Sequence, residues 1–133
     1  MTLLLLDTTF LIDAERSGSD LDAVIDDDDD VAIAAITAAE LLVGVELASE
    51  QHKAQRGAYA QAVVEGIPLI PYDLEVAKEH AALLAAVRAQ GRSRGAHDLI
   101  IAATARATKR TVLSADRTAF DDLPGVAVLD HRP

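Results

Sequence analysis

Four acidic side chains carry the chemistry that this sequence offers. Asp7 ends a run of four leucines at 3–6, Glu40 sits in the first turn after a second apolar run, Asp98 opens an Ala-rich helical stretch, and Asp116 follows Leu113 and Ser114. Carboxylates gathered in one place repel, and burying them is costly unless the charge is neutralised. A divalent cation removes that cost, and an all-oxygen donor set suits Mg²⁺ or Mn²⁺ and not zinc. Such an ion activates water and offsets the charge that builds up in an in-line displacement at phosphorus. The acids therefore point to metal-dependent hydrolysis of a phosphodiester. Each also has a local alternative. Asp7 fits an N-cap accepting from the amide of Thr9 or Phe10. Glu40 closes a T-x-x-E capping box that starts at Thr37. Asp98 complements a helix dipole, and Asp116 suits the turn over 117–122. These alternatives account for the acids singly and leave their shared place in the fold unexplained.

That place follows from the elements that must carry them. Residues 3–6, 31–36, 67–70, 111–113 and 126–129 are short apolar runs that read as strands. Residues 8–15, part of a second helix at 21–25, then 37–47, 52–65, 74–90 and 98–107 read as helices. The strands lack strict polar alternation, as strands buried on both faces do. The expected fold is α/β with three layers: a five-stranded, mainly parallel sheet covered by helices on both faces, as a single domain over 1–133. Open sheets of this kind bind ligands at the carboxyl ends of their strands, near the point where strand order reverses. Asp7, Glu40, Asp98 and Asp116 all fall toward that edge.

Four segments in order carry a resemblance to a known family: LLLLDTTFLID at 3–13, ITAAEL at 36–41, AHDLIIAATA at 96–105 and LSADRTAF at 113–120. They resemble the successive motifs of PIN-domain nucleases, and among these the VapC toxins of bacterial toxin–antitoxin pairs. The resemblance implies that Asp7, Asp98 and Asp116 hold a metal ion, Mg²⁺ with Mn²⁺ as a substitute. Glu40 would be a further ligand or a water-orienting group. Thr8 or Thr9 matches the hydroxyl that usually follows the first Asp, with Thr9 the one expected to orient a carboxylate, and Ser114 takes a place more often held by Thr, Asn or Asp. The resemblance also implies a homodimer, a VapB-type antitoxin as inhibitor, and a structured RNA of the tRNA or rRNA class as substrate. The expected activity is that of an endoribonuclease toxin that inhibits translation.

Composition sets limits on this reading. The chain of 133 residues has 22 acids against 12 bases, a net charge of −10, which disfavours loose, sequence-blind binding to nucleic acid. The charge is divided: 1–50 hold 13 acids and one base, Arg16, for −12, and 51–133 hold 9 acids and 11 bases, for +2. Local engagement of RNA by the later half is compatible with that division. Arg92 and Arg94, just before Asp98, and Arg117, just after Asp116, are the candidates for phosphate contacts. Arg88 reads as a solvated helix end, and Lys109 and Arg110 as the end of theirs. The absence of cysteine excludes a disulfide scaffold, and 3% aromatics without Trp exclude a stacking platform for single strands. No membrane span or signal peptide is recognisable, so a cytoplasmic protein is expected.

Other residues read as structural. Asp13 and Glu15 are solvated, the five Asp at 26–30 form a solvated loop that lacks the spacing of a calcium loop, and His97 supports the site or lies at the surface. The rival function is a non-catalytic acidic α/β interaction module. A phosphoacceptor receiver fits less well, because Asp7 is followed by two threonines and no Lys lies beyond Lys109.

Overall fold

The computed structural model describes residues 1–18 and 25–130. The elements run β1 (Leu3–Leu6), α1 (Thr8–Ser17), β2 (Asp30–Ala34), α2 (Ala35–Glu46), α3 (Glu50–Gly66), β3 (Leu69–Ile70), α4 (Leu74–Ala89), α5 (Ala96–Thr108), β4 (Thr111–Ser114) and β5 (Val128–Asp130), with a 3-10 turn at Arg117–Ala119. The five strands form one sheet in the order β3-β2-β1-β4-β5, and every pairing is parallel. The expected sheet is thus present, and wholly rather than mainly parallel. The helix expected to include 21–24 lies outside the described residues.

Alternation along the strands explains the three layers. Leu4 and Leu6 join Ile33 and Leu113 in a core with Phe10 and Leu11 of α1, Leu41 of α2 and Val63 of α3. Leu5 joins Ala32, Ala34 and Val112 on the other face, against Val76, Leu83 and Val87 of α4 and Leu99 and Ile101 of α5. A four-leucine strand therefore feeds two cores. Each fully buried leucine contributes about 1.5–3 kcal/mol. Helix α5 is apolar nearly all round, as its Ala-rich sequence suggests, and its residues from Ile101 to Ala105 are buried.

Two boundaries differ from expectation in ways that matter. Helix α2 begins at Ala35, with Ala34 as an N-cap that makes no side-chain hydrogen bond. Thr37 is inside the helix, fully buried, and its hydroxyl has no partner, so the capping box proposed for Glu40 does not form. Second, the Asp run is an exposed turn over 26–29, as expected of a solvated loop, but its last member, Asp30, enters the sheet. Asp26 and Asp29 close a turn through Asp29 N–H to the Asp26 carbonyl (3.0 Å) and Asp26 N–H to the Asp29 carboxylate (3.0 Å). Asp30 opens β2 and pairs with Arg110 at 2.9 Å. Arg110 also donates to the carbonyls of Leu4 (3.1 Å) and Asp30 (2.8 Å), so it ties β1 to β2 rather than simply ending α5.

Candidate active site

The sheet order places a reversal at β1. From β1 the chain crosses to β2 on one side, and β4 later returns to the other. The carboxyl ends of β1 and β4 therefore flank the crevice where such sheets bind ligands. Leu6 pairs with Leu113 in the sheet, and the next residue, Asp7, donates its amide to the Leu113 carbonyl at 3.1 Å. This register sets Asp7 beside Ser114.

Asp7 is 2% exposed and densely bonded. Its Oδ1 accepts from the Phe10 amide (2.8 Å), which makes it the N-cap of α1. The Thr9 hydroxyl lies 2.9 and 3.0 Å from its two oxygens, and Ser114 Oγ donates to Oδ2 at 2.6 Å. Capping and membership of the acidic site are thus one arrangement, not alternatives. Burial raises the Asp7 carboxyl above its ordinary pKa, the bonds from Ser114, Phe10 and Thr9 pull it back, and the negative charge of Asp116 raises it further.

The other three acids arrive from separate elements. Asp116 follows β4; its amide donates to Ser114 Oγ (2.9 Å), and its Oδ1 accepts from the Thr118 hydroxyl (2.7 Å). It makes no side-chain cap to the 3-10 turn that follows. Glu40, on α2, accepts from the Thr8 hydroxyl at Oε1 (2.7 Å) and lies 3.3 Å from His97 Nδ1 at Oε2. Asp98 is the third residue of α5, behind Gly95 as N-cap. Its carboxyl is raised by burial, then by the charges of Glu40, Asp7 and Asp116, with His97 opposing. Asp98 is therefore the residue that feels all of the others. A Cβ on Gly95 would lie 2.9 Å from Asp98 Oδ2, so any side chain there would push the carboxylate from its present place.

Mutual repulsion and burial are what a bound cation would relieve, and the donors are oxygen throughout. The four acids fit Mg²⁺ or Mn²⁺ on that ground. Their oxygens are splayed, however. Among the described residues, the only three carboxylates within 4.8 Å of one another are those of Asp26, Asp28 and Asp29, on the exposed turn.

All three expected phosphate contacts have protein partners, two of them hydrogen-bonded. Arg92 pairs with Asp122 at 2.7 Å, and Arg94 donates to the carbonyls of Thr118 (2.9 Å) and Asp121. Arg117 is exposed and only loosely paired with Asp121, at 3.9 Å. Asp13 lines an open hollow with Thr9, Arg16 and Asp116. Thr8, the alternative to Thr9 as the hydroxyl after Asp7, serves Glu40 instead, and Gly95 and Thr118 were not singled out by the sequence. A hydroxyl two residues past Asp116 and a glycine three before Asp98 were the available signals.

A parallel sheet covered on both faces, with acids delivered to its carboxyl edge, defines an α/β domain with an acidic strand-end site. A family model of the PIN domain matches residues 4–126, and the chain belongs to that family. It is similar to a chain of VapBC-5, of the VapBC family of toxin–antitoxin systems, from Mycobacterium tuberculosis: 30% identity over 98% of this chain and 99% of that one, TM-score 0.79. It is similar to FitAcB from Neisseria gonorrhoeae at 30% identity, over 96% and 97%, TM-score 0.75. VapBC2 from Rickettsia felis, solved on a promoter DNA fragment, shares the fold at 21% identity, over 97% and 98%, with TM-score 0.87. No curated protein matches the sequence. Among the described residues no helix is long and apolar enough to cross a membrane.

Proposed function

We propose that the protein is a Mg²⁺-dependent endoribonuclease toxin, held in check by a VapB-type antitoxin. Family membership and the toxin–antitoxin neighbours support a nuclease toxin. The observation that carries the finer reading is that the half-buried Asp98 carboxyl, raised first by burial, also stands close enough to Glu40, Asp7 and Asp116, from three other parts of the chain, for their charges to raise it further. Asp7, Asp98 and Asp116 would hold the ion, with Glu40 beside it. When bound, the ion would supply an activated water and charge stabilisation at phosphorus. The chain's own residues do the positioning. Thr9 and Ser114 orient the Asp7 carboxylate, Thr118 orients Asp116, and Thr8 and His97 hold the two oxygens of Glu40. Arg117 is exposed beside Asp116 and suits an RNA phosphate; Arg92 reaches one only by giving up Asp122.

The antitoxin would place a basic side chain among these acids. Support comes from charge and from a groove between α1, α2 and α3 that Glu40, Leu41, Arg56 and Tyr59 help to line. A homodimer is supported by exposed Tyr72 and Leu74 near an apolar hollow lined by Ala35, Ile36 and Ile100. Sedimentation at micromolar concentration should give the dimer mass, and a monomer would remove that part. The deciding experiment incubates the protein with total cellular RNA in Mg²⁺ or chelator, beside Asp98→Asn. Cleavage only in wild type with Mg²⁺ is expected. Cleavage that persists in chelator or in the variant refutes the mechanism, and absence of both cleavage and saturable Mn²⁺ binding favours a non-catalytic module.

A further inference from the structure

Asp98 and Asp116 reach the site on different pieces of chain, and neither piece is fixed by the sheet alone. Asp98 stands one turn into α5, and Asp116 lies beyond the last residue of β4. The turn that follows Asp116 has no side-chain cap from that residue. Buried Phe120 and Leu123 pack the turn into the core beside Leu99 and Ala102 of α5, and Arg94, one residue before the N-cap of α5, adds hydrogen bonds between the two pieces. Its guanidinium spans two carbonyls of the turn, Thr118 O through Nη1 (2.9 Å) and Asp121 O through Nη2. Thr118, so held, turns its hydroxyl onto Asp116 Oδ1 (2.7 Å). The next residue, Gly95, is the one whose missing side chain admits Asp98 Oδ2. Arg92 adds an exposed pair with Asp122 on the same turn.

We infer that Arg94 is a positioning residue: it straps the turn after β4 to the start of α5 and so sets Asp116 relative to Asp98. This rests on the metal-site reading above. It differs from the expectation that Arg94 binds RNA phosphate, because both guanidinium ends are occupied by carbonyl oxygens that a phosphate would have to displace. A fork of fixed geometry is required, since two carbonyls on one turn must be met at once. Lysine would keep the charge and lose the fork.

The test compares wild type, Arg94→Lys and Arg94→Ala. Calorimetric titration with Mn²⁺ should show affinity weakened by about tenfold in both variants, as for other residues that orient a metal ligand. Single-turnover cleavage in Mg²⁺ should fall by a similar factor with KM unchanged. RNA binding in chelator, and its salt dependence, should match wild type. If Arg94 instead contacts phosphate, Arg94→Lys is close to wild type, and Arg94→Ala raises KM and flattens the salt dependence by about one phosphate contact. That result overturns the inference.

A second measurement stands apart from metal and RNA. Hydrogen exchange of the amides of Ala119, Phe120 and Leu123 in metal-free protein should quicken by about tenfold in both variants, the equivalent of one lost hydrogen bond. Unchanged exchange there refutes the strap even if the protein proves to bind metal. Faster exchange in a protein that binds no Mn²⁺ keeps the strap and removes the metal site instead.

Discussion

Gly95→Ala offers a test of whether space beside Asp98 is part of the site. The added Cβ would stand 2.9 Å from Asp98 Oδ2 and 3.6 Å from its Cγ. Ordinary contact begins at 3.4 Å, so the carboxylate must retreat by roughly 0.5 Å or more. The backbone itself accepts alanine, since Gly95 has φ −60° and ψ 135°. Two stability effects nearly cancel. Alanine is a poorer N-cap than glycine by about 0.5 kcal/mol, and it removes about 0.4–1 kcal/mol of entropy from the unfolded chain. The melting temperature should therefore move by no more than about 3 °C. Activity should move more. If a misplacement of about 1 Å costs about a hundredfold, about 0.5 Å costs about tenfold. The assay is single-turnover RNA cleavage in Mg²⁺, with Mn²⁺ affinity measured in parallel. Gly44→Ala is the control: nothing lies within 4 Å of its Cβ position in α2, so it should stabilise by about 0.5–1 kcal/mol with unchanged cleavage. Full activity and unchanged Mn²⁺ affinity in Gly95→Ala would refute the reasoning.

Three further outcomes are expected. Because the folded Asp98 carboxyl is raised above 3.8 by burial and by its acidic neighbours, its contribution to stability is greatest below that value and is lost as pH rises through the folded pKa. In chelator at pH 7, Asp98→Asn should melt higher than wild type; a lower melting temperature contradicts the repulsion. Mn²⁺ at about a hundred times its dissociation constant should stabilise wild type by about 2.7 kcal/mol, and Asp7→Asn should lose most of that shift. Arg110→Ala, which gives up the Asp30 pair and two strand carbonyls, should cost about 2–3 kcal/mol in urea unfolding while leaving cleavage intact below the transition.

Much of this was legible in the sequence, for physical reasons. A strand buried on both faces is a continuous apolar run, and 3–6 and 111–113 show that directly. Acids at the ends of such runs stand out because nothing else there is charged. The start of α2 was misread, because Thr37 and Glu40 mimic a capping box while the helix begins at Ala35 with no capping side chain at all. The partners of Arg92 and Arg94 were hidden for a different reason. They lie 24–30 residues ahead in the chain, on a turn whose position depends on α5 packing against β4. Composition there shows only basic residues near an acid. Thr8 and Thr9 stand side by side in sequence, and only the sheet and α2 decide that one serves Glu40 and the other Asp7.

The pairing of β1 with β4 has a consequence for how the chain comes alive. These strands are neighbours in the sheet, yet residues 4–6 meet residues 111–113. A chain growing from its amino end can pair β1 with β2 early, while the other flank of β1 stays open until more than a hundred residues have been made. Ser114 and Asp116 arrive with that late strand, so Asp7 lacks its shortest hydrogen bond until then. A half-made chain, or one cut between α3 and α5, holds Asp7 and Glu40 but has no fourth strand to complete the edge. The complete edge thus exists only once the carboxyl-terminal part of the chain has been made and has joined β1.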